Sequence, residues 1–390
     1  MAIRKIVKTS DLVLEAQATI RRTPPRDPAK IDGNYLELFD SQTVYCDVFQ
    51  SGDDVVMVGP PLLNLEERFT QNPYRVDGDV TGVLPRSVPL DRAHRVVLEG
   101  VGRADRVAVR YHDDYEAELP VRADLNDHLT DKTVLVAMQR NNELAWIREW
   151  VEFYVKVNGV DSVVLYDMMS SRYTAHDIVA ALDDVVGLDV LIVVEWPYKY
   201  GAQPSEPGMP WDSDYGQYVA WEHCRRRFLM NCYAVTVSDV DELFLAEDGR
   251  SIFEHAAESP NGFVRFDQKF IESAVDENPT DGKEISYSRY WYVDPEARIG
   301  TPKYAAIMDY LSDSHQLMVH TIKGLPGTIT DEIYGRQFKP IKLAWQRRSF
   351  DRRFPDYLAS TKALVVDEPL KAVFDRLARS DSDQDDLQEG

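Results

Sequence analysis

Four short apolar segments alternate with helix-like segments between Lys132 and Ser238, and this alternation constrains the fold more than any other feature. The apolar segments are nearly continuous, which is typical of parallel strands that are buried on both faces. We expect strands at 133–138, 162–166, 188–195 and 233–238, helices at 143–157, 175–182, 216–230 and 251–257, and a further strand at 262–267. This order predicts an α/β fold whose parallel strands are joined by right-handed crossovers.

The pattern divides the chain into four regions. We expect an N-terminal helical or linker segment at 1–30, a β-rich accessory domain at 31–130, the α/β core at 131–350, and a C-terminal helix with a disordered acidic tail at 351–390. Short β-branched and aromatic runs separated by turns indicate the β-rich region. Acidic residues without apolar neighbours predict the disordered tail.

Composition limits the classes of partner. The chain has 390 residues, of which 44% are apolar, so it has enough material for a sizeable core. The formal net charge of −22 argues against nucleic acid as a partner. Cys46, Cys224 and Cys232 are too few for a disulfide framework, and no apolar run reaches the roughly 20 residues of a membrane span. We expect a cytoplasmic protein with reduced cysteines.

The N-terminal segment leaves two interpretations open. Basic residues surround a partly apolar stretch at 12–20. An amphipathic helix there would give peripheral contact with the inner face of a membrane. A solvated terminal helix explains the same residues.

The fourth apolar strand leads directly into Asp239 and Asp241. Residues i and i+2 of an extended segment point the same way, so both carboxylates can face one cation. Carboxylates completed by substrate phosphates are the usual ligands of Mg²⁺ or Mn²⁺. Ligands of parallel sheets bind outside the carboxyl ends of the strands, where Asp167 and Glu195 also fall. A strand end followed by a polar turn explains the acidic pair as well.

Five motifs follow one another through the core. They are Gln139-Arg140-Asn141-Asn142-Glu143, the segment 146–153, Val164-Leu165-Tyr166-Asp167, the helix positions Gln217, Ala220 and Cys224, and the segment 238–244. Together they resemble the GT-A type glycosyltransferases, specifically the family 2-like and family 92-like group. The resemblance covers about a third of the chain, from 134 to 266.

The resemblance implies a GT-A type, Rossmann-like core that binds a nucleotide-diphosphate sugar, with a UDP-sugar favoured. Asp239 and Asp241 would hold Mn²⁺ or Mg²⁺ against the donor diphosphate. The sugar would pass to a glycan or glycolipid hydroxyl, with inversion expected.

The same resemblance assigns roles to further residues. Asn142 and Glu143 would line the nucleotide pocket, Asp167 would hydrogen-bond the base or ribose, and Gln217 would contact the donor. His320 would be a third metal ligand. Helix capping, turn formation and a structural histidine are alternative explanations of these residues.

Inverting transfer requires a carboxylate that takes the acceptor proton, and Asp267 and Glu272 are the candidates. We expect Lys323 to contact donor phosphates. Other basic groups that offer the same contact, or form a solvated basic face, are Lys303, Lys339, Lys342, Arg347 and Arg348.

Two other functions use similar residues. Haloacid dehalogenase-like phosphatases also place Asp-x-Asp after an apolar strand, but after the first strand and with Thr or Val next, whereas Glu242 follows here. A non-catalytic carbohydrate- or nucleotide-binding protein on a decayed transferase core is the other alternative. The oligomeric state stays open.

Overall fold

A computed structural model of the chain describes residues 2–16, 18–31, 33–112, 115–204, 208–276, 285–341, 356–357 and 363–388. Its N-terminal part contains the strands β1 (Ile3–Lys8), β2 (Leu12–Val13), β3 (Thr43–Tyr45), β4 (Asp47–Ser51), β5 (Asp54–Gly59), β6 (Arg75–Val76), β7 (Asp79–Val80), β8 (Arg86–Pro89), β9 (His94–Leu98), β10 (Arg106–His112) and β11 (Tyr115–Pro120). Two short helices, α1 (Tyr35–Leu38) and α2 (Glu66–Thr70), lie among them.

The rest of the described chain alternates strands and helices. The strands are β12 (Thr133–Gln139), β13 (Ser162–Asp167), β14 (Val190–Glu195), β15 (Ala234–Val237), β16 (Glu242–Ala246), β17 (Phe263–Ile271), β18 (Ala274–Val275), β19 (Tyr292–Val293), β20 (Gly300–Ile307), β21 (Gln316–Leu317), β22 (Ile322–Lys323), β23 (Ile329–Phe338), β24 (Asp356–Tyr357) and β25 (Val365–Val366). The helices are α3 (Leu144–Asn158), α4 (Ala175–Leu182), α5 (Tyr215–Arg227), α6 (Ile252–Glu258) and α7 (Glu368–Gln388).

One large sheet runs through the core in the order β1-β14-β13-β12-β15-β20-β17-β19-β25, with β23 joining β16 to β17. The first five of these strands are parallel to one another, while β20 is antiparallel to both β15 and β17. The predicted α/β fold with parallel strands is therefore confirmed. The antiparallel pairings of β20 and its neighbours extend it into a mixed sheet.

Helices cover both faces of this sheet. Helix α3 packs Trp146 and Trp150 into one apolar cluster, and α5 packs Trp221 and Cys224 into a second cluster on the opposite face. Helix α3 ends at Asn158, and Gly159, with a φ of 68°, provides its left-handed cap. Cys46, Cys224 and Cys232 are all buried, and none of them forms a disulfide among the described residues.

The N-terminal segment differs from the helical or linker segment expected at 1–30, because it begins with a strand and its described helical residues are one 3₁₀ turn at Pro28–Lys30. Residues 3–8 form β1, which pairs in parallel with β14 from Ile3 opposite Val190 to Lys8 opposite Glu195. Strand β14 would otherwise be the sheet edge, and β1 satisfies its open backbone groups. The amphipathic helix considered for 12–20 is absent from the described part of that stretch, which contains only β2 and irregular chain.

Short antiparallel strands fill the region between β3 and β11. They form two four-stranded sheets, β4-β5-β9-β8 and β11-β10-β6-β7, among smaller pairings. Phe49, Val56 and Val97 of the first sheet lie in the same apolar cluster as α5. The β-rich region is thus packed directly against the core.

Helix α7 continues to Gln388 and so includes the acidic C-terminal stretch, for which the sequence predicted disorder. Asp367 precedes the helix, and its carboxylate accepts a hydrogen bond from the Leu370 backbone at 3.1 Å. Leu370 and Val373 are buried against the core. Extending an existing helix by further turns costs much less free energy than nucleating a new one. The capped and buried first turn of α7 therefore favours helical structure in the acidic residues that come after it. Among the described helices, none is both long and apolar enough to cross a bilayer.

Candidate metal centre and adjoining cavity

Three carboxylates meet in the turn between β15 and β16. Asp239, Asp241 and Glu242 each offer an oxygen, and these oxygens lie within 4.8 Å of one another. The backbone N–H of Asp239 donates to Glu242 Oε2 at 3.1 Å, which closes the turn. The sequence predicted the first two carboxylates as ligands and missed the third, although its position directly after Asp241 was a signal.

Buried aromatic side chains of α3 hold this turn. The Tyr154 hydroxyl donates to Ser238 Oγ at 2.8 Å, and the Trp150 indole N–H donates to the Glu242 carbonyl at 3.2 Å. From another direction, the Tyr287 hydroxyl donates to the Val240 carbonyl. The backbone that carries the carboxylates is therefore fixed by the core.

Lys303 of β20 is fully buried beside the acidic cluster. Its Nζ lies 2.9 Å from Glu242 Oε2 and 3.1 Å from Asp239 Oδ2. Burial acts to lower the pKa of Lys303, but the two carboxylates outweigh burial and raise it above the ordinary value. Burial also raises the pKa of Glu242, against the opposing effect of Lys303. When all four groups are ionised, the three carboxylates and the Lys303 ammonium have a net charge of −2. This net charge is complementary to that of a divalent cation.

The donor set fits Mg²⁺ or Mn²⁺, because both prefer oxygen ligands. Asp239, Asp241 and Glu242 would hold the ion. His320, the predicted histidine ligand, has its Nδ1 3.1 Å from the Pro302 carbonyl, so this nitrogen donates and Nε2 is the acceptor. Burial, with a smaller effect of Lys303, lowers the pKa of His320 to about 4, which keeps the imidazole neutral. The group of described residues close enough to share one ion is Asp239, Asp241 and Glu242, and it does not include His320.

Two amides also contact the acidic cluster. Gln217 Nε2 of α5 donates to Asp239 Oδ1 at 3.3 Å, and the Tyr200 hydroxyl donates to Gln217 Oε1 at 2.8 Å. Gln337 Nε2 of β23 donates to Asp241 Oδ2 at 3.3 Å. The structure thus brings the predicted Gln217 to the cluster. Gln337, nearly a hundred residues from Asp241, carried no local signal in the sequence.

A cavity of about 430 Å³ lies at the carboxyl ends of β1, β13 and β14. Its lining residues include Asp167, Tyr173, Glu195 and Trp196. Gln139 Nε2 donates to Asp167 Oδ1, and the Ser170 backbone donates to Asp167 Oδ2 at 3.1 Å. Burial raises the pKa of Asp167. Asp167 therefore lines a cavity on the same sheet edge as the acidic cluster, and its contact with a nucleoside stays a prediction.

Asn142 and Glu143, which were predicted to line the nucleotide pocket, are not among the residues that line this cavity. Asn142 is buried, and its carbonyl accepts a hydrogen bond from the Tyr173 hydroxyl at 2.6 Å. Glu143 occupies the N-cap position of α3 and pairs with Arg172 at 2.9 Å. Asn142 therefore supports a cavity residue, while Glu143 faces the loop that carries Arg172.

The remaining predicted residues lie elsewhere in the fold. Lys323 pairs with Asp91 at 3.5 Å, and Glu272 accepts a hydrogen bond from Lys339. Asp267 lines a second cavity of about 570 Å³ between β17, β19 and β25. Lys342, Arg347 and Arg348 fall outside the described residues.

No protein-family model and no curated protein matches this sequence. Matching solved structures include the crystal structure of S. aureus TarS, with a TM-score of 0.22 and 13% sequence identity. That match spans 40% of this chain and 23% of the TarS chain. A likeness of this extent carries no argument about the fold or the function. The GT-A family assignment therefore rests on the sequence motifs as a resemblance.

Proposed function

We propose that the protein is a metal-dependent glycosyltransferase that transfers a sugar from a UDP-sugar to a hydroxyl group of a glycan or glycolipid. The supporting observation is the acidic cluster of Asp239, Asp241 and Glu242, which lies on the same edge of the parallel sheet as the 430 Å³ cavity. Ligands of parallel sheets bind at this edge.

The spacing of the two features suits a nucleotide diphosphate. Strand β12 lies between β13, which ends at Asp167, and β15, which leads into Asp239. Two strand spacings of ~4.8 Å put roughly 10 Å between the ends of β13 and β15. A nucleoside in the cavity would direct its diphosphate toward the acidic cluster.

Each group has a chemical role in this proposal. Asp239, Asp241 and Glu242 would hold the metal ion, which would supply charge neutralisation for the departing nucleotide diphosphate. Lys303 fixes the orientation of Asp239 and Glu242, and Gln217 fixes Asp239 from the side of α5. Asp167 and Glu195 provide acceptors for the hydroxyl and N–H groups of the nucleoside.

A carboxylate base must take the proton from the acceptor hydroxyl. The two candidates from the sequence, Asp267 and Glu272, can be distinguished by substituting each in turn. Asp267 lines the 570 Å³ cavity, which would then hold part of the acceptor. Glu272 is tied to Lys339. Loss of turnover in Asp267→Asn with donor binding retained would assign the base to Asp267, whereas the same result in Glu272→Gln would assign it to Glu272.

A thermal-shift screen of UDP-, GDP-, CMP- and dTDP-sugars, each with Mn²⁺ and with EDTA, tests the proposal. A ligand present at 100 times its Kd stabilises the folded state by ~2.7 kcal/mol. We expect UDP-sugars to raise the unfolding temperature only with Mn²⁺. The absence of any shift would contradict the proposal, and hydrolysis of simple phosphate esters would then favour the phosphatase alternative.

A further inference from the structure

Four polar side chains form one row across the carboxyl edge of the parallel sheet. Gln139 of β12 is in register with Asp167 of β13, Asp167 with Glu195 of β14, and Glu195 with Lys8 of β1. Side chains in register on neighbouring parallel strands point to the same face, and the strands are ~4.8 Å apart. The row therefore presents an amide, two carboxylates and an ammonium side by side.

Three members of the row, Lys8, Glu195 and Asp167, line the 430 Å³ cavity. Gln139 does not line the cavity itself, but its Nε2 donates a hydrogen bond to Asp167 Oδ1. A carboxylate has about four lone-pair sites, so Asp167 can accept a ligand N–H in addition to its bonds from Gln139 and Ser170. Lys8 supplies a hydrogen-bond donor at the opposite end of the row.

The N-terminal chain holds Lys8 at this position. After β1, the Thr9 hydroxyl contacts the Tyr198 hydroxyl at 2.6 Å, and the Ser10 backbone donates to Asp47 at 2.7 Å. The Lys8 side chain itself is 77% exposed, and its Nζ lies 3.6 Å from Glu195. Exposed ion pairs contribute at most about 1 kcal/mol, so the ammonium can exchange Glu195 for a ligand oxygen at little cost.

We propose that Lys8 is a specificity residue that selects nucleotides whose base carries a keto–imide edge, such as uracil. The inference rests on the proposed function and extends it to the base. Asp167 accepts the imide N–H while Lys8 donates to the adjacent ring carbonyl. Cytosine presents a ring-nitrogen acceptor to Asp167 and an amino donor to Lys8, so both contacts are mismatched.

Calorimetric titration of the protein with UDP and with CDP, each in the presence of Mn²⁺, tests this selection. The two nucleotides differ only in the ring nitrogen and the adjacent exocyclic group that Asp167 and Lys8 would contact. We expect wild-type protein to bind UDP at least tenfold more tightly than CDP, the scale of one hydrogen bond to a charged group. Lys8→Met should weaken UDP binding by about tenfold and leave CDP binding nearly unchanged. Lys5→Met, on the same strand but outside the cavity lining, is the matched control and should change neither affinity.

A second variant distinguishes a specific effect on base recognition from a general loss of local structure in the cavity. Asp167→Asn replaces an acceptor by an amide that can donate to the cytosine ring nitrogen, so it should weaken UDP binding and strengthen CDP binding. Damage to the cavity would weaken both nucleotides together.

The outcomes distinguish this inference from the proposed function. Equal affinities of wild-type protein for UDP and CDP, or an unchanged ratio in Lys8→Met, would overturn the role of Lys8 and leave the transferase proposal standing. Binding of neither nucleotide in the presence of Mn²⁺ would overturn both.

Discussion

The ammonium of Lys303 lies 2.9 Å from a carboxylate oxygen of Glu242, and both side chains are buried. The same ammonium lies 3.1 Å from Asp239. A cation provided by β20 thus holds two of the three carboxylates of the acidic cluster before any metal binds. Its removal would leave those carboxylates close together without compensating charge.

Lys303→Met should lower the free energy of unfolding by roughly 3 kcal/mol, because removing one partner of a buried ion pair leaves an uncompensated charge. Mn²⁺ should stabilise this variant more than it stabilises the wild-type protein. Urea unfolding with Mn²⁺ and with EDTA measures both effects. Lys269→Met, which breaks the half-exposed pair with Glu247, is the control and should cost less than about 1 kcal/mol. Equal losses in the two variants would show that Lys303 does not compensate the cluster.

Stability should depend on His94 in mildly acidic solution. Burial lowers the pKa of His94 from 6.5 to about 4. The unfolded chain therefore takes up a proton at higher pH than the folded chain, and stability is lost as the pH falls from 6.5 toward 4. In His94→Gln, this pH-dependent loss should be smaller by up to about 3 kcal/mol.

Urea unfolding between pH 7 and pH 4 measures the effect of His94. His176, an exposed histidine at the start of α4, provides the control substitution His176→Gln. The control should follow the wild-type pH dependence. If His94→Gln and wild-type protein lose stability in parallel, the buried imidazole does not contribute.

Gly201 is predicted to be intolerant of a side chain. Its φ is 101°, and a Cβ there would lie 2.0 Å from the Ser213 carbonyl oxygen. Gly201→Ala should cost about 2–3 kcal/mol, since it adds a clash to a strained backbone conformation. The neighbouring Tyr200 orients Gln217, so Mn²⁺-dependent nucleotide binding should weaken as well.

The matched control for Gly201 is Gly208→Ala. Gly208 also has a positive φ, of 90°, but a Cβ there would meet no atom within 4 Å. Its substitution should cost only the backbone strain of about 1–2 kcal/mol. Thermal unfolding of both variants measures the difference, and equal losses would remove the steric explanation for Gly201.

Local patterns in the sequence predicted the parallel strands, since each buried strand and its helix lie within one short segment. They also located Asp239 and Asp241, because the acidic pair directly follows a strand. Lys303 was recognised only as one of several basic residues, since its pairing with Asp239 joins positions 64 residues apart. No local pattern indicates such a contact.

The described structure differs from the sequence-based expectation near both ends of the chain, for related reasons. Strand β1 pairs with β14, more than 180 residues away, so nothing nearby indicated a strand at 3–8. At the other end, the acidic composition of 380–386 predicted disorder. Helix α7 reaches beyond those residues because Asp367 caps its start and Leu370 anchors it to the core. The amino-acid composition of the tail gives no information about this cap or about the burial of Leu370.

In the proposed function, Asp241 binds a metal ion that in turn binds the nucleotide diphosphate. The most direct measurement is calorimetric titration of UDP into wild-type protein and Asp241→Asn, each with Mn²⁺ and with EDTA. We predict that wild-type protein binds UDP only with Mn²⁺. Asp241→Asn should lose more than about tenfold in affinity, the least that a perturbed metal site typically loses, while keeping its unfolding temperature. Wild-type affinity for UDP in Asp241→Asn, or equal binding of UDP by wild-type protein in EDTA, would contradict the account.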